Sequence, residues 1–192
     1  MALAPPDCRR VGIDPAPSLT VATPGVEIYC MTSDKFFAKA DLSKILGGLP
    51  IDLAFIDGMH LFENVLADFI NLERYCAPES AILIHDRLPL IAVVAERERQ
   101  TRFWLGDVWR TLPALAHFRP DLAISVVAAA PSGLAVVRGL DPTSDILATK
   151  HQQVLTYGAG LDFRVSQSLE EFGIESVPSD RRAVSQLWQG RD

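Results

Sequence analysis

Four residues whose side chains could do chemistry lie where two apolar segments of the sequence end. Asp57 and His60 follow one segment, and His85 and Asp86 follow the next. One helical pattern lies between the segments, so their strands are expected to be neighbours with the two carboxylates close together. Adjacent carboxylates repel unless a cation or a shared proton compensates, and hard oxygen ligands suit Mg²⁺ or Mn²⁺. A divalent metal at Asp57 and Asp86 is the natural hypothesis, although either Asp could instead cap the helix that follows.

The two histidines of this cluster are candidates for acid–base chemistry. With an ordinary pKa of about 6.5, His60 or His85 could take a proton from a hydroxyl at neutral pH. A metal would assist by stabilising the alkoxide. The alternative is that each is a hydrogen-bonded structural histidine. Arg87 either contacts an anionic substrate or neutralises the two carboxylates.

Polar residues also follow two earlier apolar segments. Ligands of open α/β sheets bind beyond the carboxyl ends of the strands, which makes Asp14, Ser33 and Asp34 candidates. Asp14 either accepts hydrogen bonds from a ribose diol or only starts a turn with Pro15. Ser33 and Asp34 either face an adenine ring or belong to a helix cap, and position alone favours the cap.

Short apolar segments alternate with helical patterns along the chain. Runs of this length suit strands buried on both faces of a parallel sheet. The stretch 61–76 has the spacing of an amphipathic helix of about four turns, and Ser33 begins another helical pattern. A short turn around Pro131 separates the last two segments, which predicts an antiparallel hairpin. The predicted strands are at 9–14, 25–31, 52–57, 80–86, 121–129 and 132–139.

This alternation predicts an α/β fold with a mostly parallel sheet and a C-terminal antiparallel hairpin. Residues 1–142 are expected to form the α/β domain. Residues 143–192 are expected to form a C-terminal appendage packed on it, with a helix around 167–172.

Two further patterns are predicted to be structural. Phe103, Trp104 and Trp109 have helical spacing, which is more typical of a core than of a binding site. The charged run 95–102 is expected to be a solvated helix face, although it could line the mouth of a site.

Composition limits the classes of partner. The 192 residues are 48% hydrophobic, which is typical of a single soluble globular domain. A net charge of −6 argues against nucleic acid, and no apolar run approaches the ~20 residues that span a bilayer. The chain begins without a signal-peptide pattern, and three cysteines without metal-site spacing fit a reducing cytoplasm. The sequence leaves open whether the chain forms a homo-oligomer.

The stretch 52–89 has a characteristic order of features. It begins with an apolar segment that ends in Asp-Gly-Met-His, continues with a long helical pattern and a proline, and closes with a second apolar segment that ends in His-Asp. This order resembles the core of class I S-adenosylmethionine-dependent methyltransferases, in the branch of sugar and small-molecule O-methyltransferases (methyltransferase family 24). The stretches GVEIYCMTSDKFF, WLGDVWRTLPAL and PSGLAVVRGLDP are similar to this branch too. The resemblance implies a Rossmann-like sheet and methylation of a small-molecule or sugar hydroxyl.

The resemblance also implies where S-adenosylmethionine binds. Asp14 matches the family's ribose-binding acid, and Ser33 and Asp34 lie in its adenine-side loop. Asp57 and His60 lie beside the reacting methyl group. The implied cofactor-binding residues are therefore Asp14, Ser33, Asp34 and Asp57, and the implied catalytic residues are His60 and Asp57.

A metal site is implied for the metal-dependent members of the branch. Asp57 and Asp86 match their metal-binding carboxylates, with Mg²⁺ as the expected ion. His60 would then be the base, while the metal orients the nucleophile. Arg87 stands where catechol-type metal sites carry Asn.

The family pattern also begins with a strand and a glycine-rich turn that approaches the methionine end of the cofactor. Only eight residues precede Arg9, and they contain no glycine. The sequence is therefore expected to start at the second strand of the fold. Without the central first strand, the strands ending at Asp14 and Asp57 would have unpaired edges or pair with each other.

Two other functions stay open. The first is a truncated or non-catalytic methyltransferase-like binding module, which the absent glycine turn would explain. The second is a metal-dependent hydrolase that uses the same Asp and His residues without a cofactor.

Overall fold

The computed structural model describes residues 8–18 and 25–188, which divide into two compact units. The first unit extends to Pro50, and the second begins at Ile51.

The first unit contains a parallel pair of strands followed by two short helices. The strands are in register from Arg10 opposite Val26 to Ile13 opposite Tyr29. Phe36 is fully buried and packs edge-on against the ring of Tyr29. The elements are β1 (Arg10–Ile13), β2 (Val26–Tyr29), α1 (Ser33–Lys39) and α2 (Leu42–Ile45).

The second unit is built on a sheet whose described strands are β3 (Ile51–Ile56), β4 (Cys76–His85), β5 (Ala123–Val127), β6 (Leu134–Arg138) and β7 (Glu175–Val177). Their order is β3-β4-β6-β5-β7. β3 pairs with β4 and β5 with β7 in parallel, whereas β6 is antiparallel to both of its neighbours.

Helices accompany this sheet. They are α3 (Phe62–Glu73), α4 (Thr111–Phe118), α5 (Ile146–Thr149), α6 (His151–Ala159) and α7 (Arg181–Gln186). Turns of 3₁₀ helix occur at Ala92–Ala95, Val108–Arg110, Phe163–Gln167 and Leu169–Phe172.

The core of the second unit joins α3 to the sheet. Val65, Leu66 and Phe69 recur on one face of α3, and all three are buried in one cluster with Ile82 and Ile84 of β4. Burial of large apolar side chains of this kind contributes about 1.5–3 kcal/mol each. The packing holds the carboxyl ends of β3 and β4 in fixed positions.

The mixed α/β class is confirmed, and every predicted strand overlaps an observed one. The hairpin is also confirmed, since β5 and β6 pair in antiparallel register. The prediction of a helix around 167–172 is met by two 3₁₀ turns, and β7 adds a strand that was not expected. The division at residue 142 stays a prediction.

One departure concerns the sheet itself. The sequence predicts a single sheet, but the described strands form two. β1 pairs with β2 in a two-stranded sheet, and β3 pairs with β4 in the five-stranded sheet. Among the described residues, no helix has the length and hydropathy needed to cross a lipid bilayer.

Candidate functional site

Asp57 and Asp86 lie at the carboxyl ends of neighbouring parallel strands. Each follows its strand directly, and Ile56 of β3 is in register with Ile84 of β4. The Asp57 side chain is 43% exposed, whereas that of Asp86 is 6% exposed. The proximity expected from the sequence is present, with one carboxylate open to solvent and the other enclosed.

His60 joins the two carboxylates. Its Nε2 atom lies 3.6 Å from Asp57 Oδ1 and 3.3 Å from Asp86 Oδ2. Its Nδ1 atom lies 3.1 Å from the backbone oxygen of Trp104, and the two rings are stacked with centroids 5.4 Å apart. Because a carbonyl oxygen can only accept, Nδ1 carries a proton and donates it there. Nε2 is therefore the nitrogen that is free to bind a proton or a metal.

The charges within this cluster shift its titration. The nearby carboxylate of Asp57 raises the pKa of His60, against an opposing effect of burial, and Asp86 raises it further. The imidazole of His60 in turn lowers the pKa of Asp57, and His85 contributes in the same direction. A proton on Nε2 therefore compensates part of the negative charge of the two carboxylates.

His85 faces the same pair of carboxylates. Its Nδ1 atom lies 3.0 Å from Asp86 Oδ1 and 3.3 Å from Asp57 Oδ1. This nitrogen is buried, and neither contact has the alignment of a hydrogen bond. This nitrogen therefore has no aligned hydrogen-bond partner in the cluster, and it can interact with a further group.

Two residues of the cluster adopt a strained backbone conformation. His60 and Asp86 have φ angles of 53° and 62° and are the non-glycine residues with positive φ in the described ranges. The left-handed region costs an L-residue on the order of 1–2 kcal/mol. Strain of this kind persists where surrounding contacts fix it, and it concentrates at functional sites.

A loop after β4 holds His60 in place through Gly106. A Cβ atom on Gly106 would lie 1.8 Å from the backbone oxygen of His60, and the φ of Gly106 is +67°. Only glycine allows this approach. Sequence reasoning missed Gly106, because one glycine in an aromatic stretch gives no distinct signal.

Ion pairs fix the same loop to the start of α3. Asp107 accepts a hydrogen bond from the backbone nitrogen of Phe62 at 2.9 Å. Arg97 donates to Asp107 at 2.7 Å and to both carboxylate oxygens of Glu63 at 2.6 and 2.9 Å. The interpretation of 95–102 as a helix face is wrong, because only Ala95 of this run lies in a helical turn.

The aromatic residues near this loop divide between two roles. Trp109 is buried, as expected of a core residue. Phe103 and Trp104 instead line a cleft beside Asp57 and Asp86, so the core prediction is wrong for them. Residues 101–107 lie outside any helix, so the helical spacing of Phe103 and Trp104 does not apply.

Arg87 is enclosed beneath the site. Its guanidinium donates to the backbone oxygens of His85 and Val108, and the residue is 2% exposed. Burial lowers its pKa to about 9, and Asp86 and Asp57 oppose that change. Arg87 thus neutralises the carboxylates from below, which favours that alternative over contact with a substrate.

The donor atoms around Asp57, Asp86 and His60 fit a divalent metal ion. One oxygen or nitrogen from each residue lies within 4.8 Å of the others. Carboxylate oxygens suit Mg²⁺ and Mn²⁺, while an imidazole nitrogen is more typical of transition metals. The Trp104 carbonyl that receives Nδ1–H is the outer contact that usually orients a metal-binding histidine.

The predicted adenosine-binding residues lie in the first unit. Asp14 follows β1, is exposed and accepts a hydrogen bond from the backbone nitrogen of Ala16 at 2.7 Å. Ser33 is the first residue of α1, with Thr32 as the cap, and Asp34 is exposed in the first turn. Because β1 and β2 are parallel and in register, Asp14 and the start of α1 follow the same end of the pair. Their roles in cofactor binding stay predictions.

A comparison with protein families gives one match. Residues 12–87 match the family model described as a methyltransferase domain. The match covers less than half of the chain and runs from β1 to the residue after Asp86. It supports a class I methyltransferase domain, for which S-adenosylmethionine is the usual cofactor. No curated protein matched the chain.

Proposed function

We propose that this chain transfers a methyl group from S-adenosylmethionine to a hydroxyl group of a small molecule or sugar, with help from a divalent metal ion. The match to a methyltransferase domain over 12–87 carries the proposal. The donor atoms of Asp57, His60 and Asp86 lie inside that matched range. The domain family indicates the reaction, and the side chains support oxygen as the acceptor atom.

The reaction is a displacement at one carbon atom. The acceptor oxygen forms a bond to the methyl carbon while the bond from that carbon to the sulfonium sulfur breaks, and the hydroxyl proton leaves to a base. Holding the two substrates in line contributes most of the acceleration, because an oriented pair avoids the entropy cost of an encounter. The fixed carboxylates of Asp57 and Asp86 supply that orientation at the acceptor.

His60 has one reactive nitrogen, so the role as base that the sequence predicts competes with binding of the metal. Nε2 could take the hydroxyl proton as a base or bind the metal, and it cannot do both at once. Its position between Asp57 Oδ1 and Asp86 Oδ2 favours metal binding. In that role Trp104 fixes the ring by accepting Nδ1–H.

Asp57, Asp86 and His60 would hold the metal. A bound divalent ion would orient the acceptor and lower the pKa of its hydroxyl. His85 Nδ1 lies close enough to the same carboxylates to serve as a fourth donor or to receive the proton. The buried Arg87 limits the negative charge that the ion must neutralise.

The remaining features are consistent with an enzyme of the cytoplasm. Three cysteines without the spacing of a metal site fit a reducing compartment. Asp14, Ser33 and Asp34 would contact the nucleoside of the cofactor. The net charge of −6 supports a small-molecule acceptor over nucleic acid.

A methyl-transfer assay with an Asp57→Asn variant tests this function. We expect methylated product from wild type, loss of product after chelation with EDTA and a large loss in Asp57→Asn. Asp52→Asn is the matched control, because Asp52 is an exposed residue of the same strand. Product formation that is equal in wild type and Asp57→Asn would contradict the proposed site.

The two roles of His60 can be separated by equilibrium dialysis with Mn²⁺. If His60 is a ligand, His60→Gln weakens Mn²⁺ binding, whereas His117→Gln does not. His117 stacks on Tyr157 on another helix and serves as the control. Unchanged Mn²⁺ binding together with lost activity in His60→Gln would assign the base role instead.

The donor set also fits a hydrolase, because two carboxylates and an imidazole can activate a metal-bound water. That function predicts cleavage of esters or phosphates without S-adenosylmethionine. The cleavage would have to disappear in Asp57→Ala.

A further inference from the structure

We propose that the cleft beside Asp57 and Asp86 binds the methyl acceptor and that the acceptor is a small aromatic hydroxy acid. This rests on the proposed function, because the cleft adjoins the cluster assigned to the reacting hydroxyl. The hydroxyl would lie near His60, the ring against Phe103 and the carboxylate near Arg102.

The cleft has the size and position of a small-molecule site. Its volume is about 260 Å³. The Asp57–Asp86 cluster forms one wall, a loop segment at 102–105 forms another, and Pro131 and Ser132 of the hairpin complete it. Pockets for drug-sized ligands are on the order of 300–1,000 Å³, so this cleft suits a compound with one ring.

Aromatic side chains form the wall that would contact the ring. Phe103 is 45% exposed and lines the cleft, although large apolar side chains are usually buried. Trp104 lies beside it and stacks on His60. A flat ring placed against Phe103 would remove apolar surface from water and allow an offset or edge contact between rings.

Arg102 supplies a positive charge to the cleft. Within residues 8–18 and 25–188, no hydrogen bond or ion pair occupies its guanidinium, whereas Arg97 in the same loop binds Glu63 and Asp107. The carboxylates of the opposite wall repel an anion. A negatively charged group of the acceptor is therefore held by Arg102, with the hydroxyl directed towards the cluster.

Ser132 gives independent support for a ligand. The residue is 1% exposed and lines the cleft, and its hydroxyl is buried without a partner among the described residues. A buried hydroxyl that lacks a hydrogen bond costs free energy. A polar group of a methyl acceptor bound in the cleft would supply the hydrogen-bond partner that this hydroxyl lacks.

The walls of the cleft are already in place. Arg97 and Asp107 attach the loop to α3, and Trp104 Nε1 donates to the backbone oxygen of Glu96 at 2.6 Å. The cleft therefore needs little ordering when the acceptor binds, which favours affinity.

Calorimetric titration with three probes tests the acceptor class. The probes are protocatechuate, which is an aromatic hydroxy acid; catechol, which lacks the carboxylate; and methyl glucoside, which lacks the ring. With Mg²⁺ present, we expect the full chain to bind protocatechuate more tightly than catechol, and catechol more tightly than methyl glucoside. Arg102→Gln should weaken the affinity for protocatechuate by about fivefold and change the affinity for catechol by less than about twofold.

Two variants complete the test. Phe103→Ala should lower the affinity for both aromatic probes without changing the affinity for methyl glucoside. Arg74→Gln removes an exposed arginine at the end of α3 and should leave all three affinities unchanged. Thermal unfolding of each variant checks that the fold is retained.

Tightest binding of methyl glucoside, an equal loss for both aromatic probes in Arg102→Gln, or no binding of any probe would overturn the proposal. A parallel titration with S-adenosylhomocysteine separates this failure from that of the proposed function. Binding of S-adenosylhomocysteine without any probe rejects the acceptor class alone. Binding of protocatechuate without S-adenosylhomocysteine supports the cleft and rejects the methyltransferase function.

Discussion

The ends of β1 and β3 carry the same residue type but differ in their surroundings. Asp14 after β1 is exposed and accepts a hydrogen bond from a neighbouring backbone nitrogen, as in an ordinary turn. Asp57 after β3 lies next to a buried carboxylate and two imidazoles. The difference shows that an Asp at a strand end acquires reactive surroundings only where other segments pack against it.

That packing comes from one loop. Gly106 allows the loop to contact the His60 backbone, and Trp104 binds the His60 ring. In the first unit, Asp14 has a local contact to Ala16. We therefore assign chemistry to the β3 and β4 ends and expect a binding role alone at the β1 end.

Replacing Asp86 should have the largest effect. Asp86→Asn removes the enclosed charge between His60 and His85, so we expect methyl transfer to fall by about a thousandfold. Asp14→Asn should keep most of the turnover at saturating cofactor. The ratio of kcat values measures the difference, and equal losses of kcat would erase the distinction between the two strand ends.

Gly106→Ala should disrupt the site through the backbone. The new Cβ would meet the His60 oxygen, and φ is positive, so we expect a loss of about 3 kcal/mol in the free energy of unfolding. Gly173→Ala is the control, because its φ is +70° with no atom within 4 Å of a Cβ. It should cost about 1 kcal/mol. Urea denaturation of both variants measures the values, and similar losses would argue against the close approach at His60.

Asp14→Asn should affect binding rather than chemistry. If the Asp14 carboxylate binds a ribose diol, loss of this charge should weaken the affinity for S-adenosylhomocysteine by about tenfold. Asp41→Asn is a control of the same type in the first unit, since Asp41 caps α2. Calorimetry gives both dissociation constants. Unchanged affinity in Asp14→Asn would leave Asp14 as a turn residue only.

The smallest effect concerns pH. Asp57 raises the pKa of folded His60, so protonated His60 stabilises the metal-free protein fully below the unfolded value of about 6.5. That stability is lost as pH rises through the folded pKa. With EDTA present, the stability of wild type relative to His60→Gln should therefore decrease across this range. A difference that grows with pH would contradict the ion pair.

The fold was largely predictable from the sequence, but the site was predictable only in part. Apolar runs located the strands, and a single helical crossover placed Asp57 beside Asp86. The contacts of Gly106 and Trp104 with His60 join residues more than forty positions apart, and no periodicity encodes them. The same limit explains the wrong interpretation of 95–102 as a helix face, since the ion pairs of Arg97 with Glu63 and Asp107 join positions that no periodicity relates.

Calorimetric titration of the full chain with S-adenosylhomocysteine tests the central claim most directly. A methyltransferase with this site should bind one molecule per chain, and the affinity should be weaker in Asp14→Asn. Absence of binding by a folded protein, shown by a cooperative unfolding transition, would contradict a methyltransferase function for this chain.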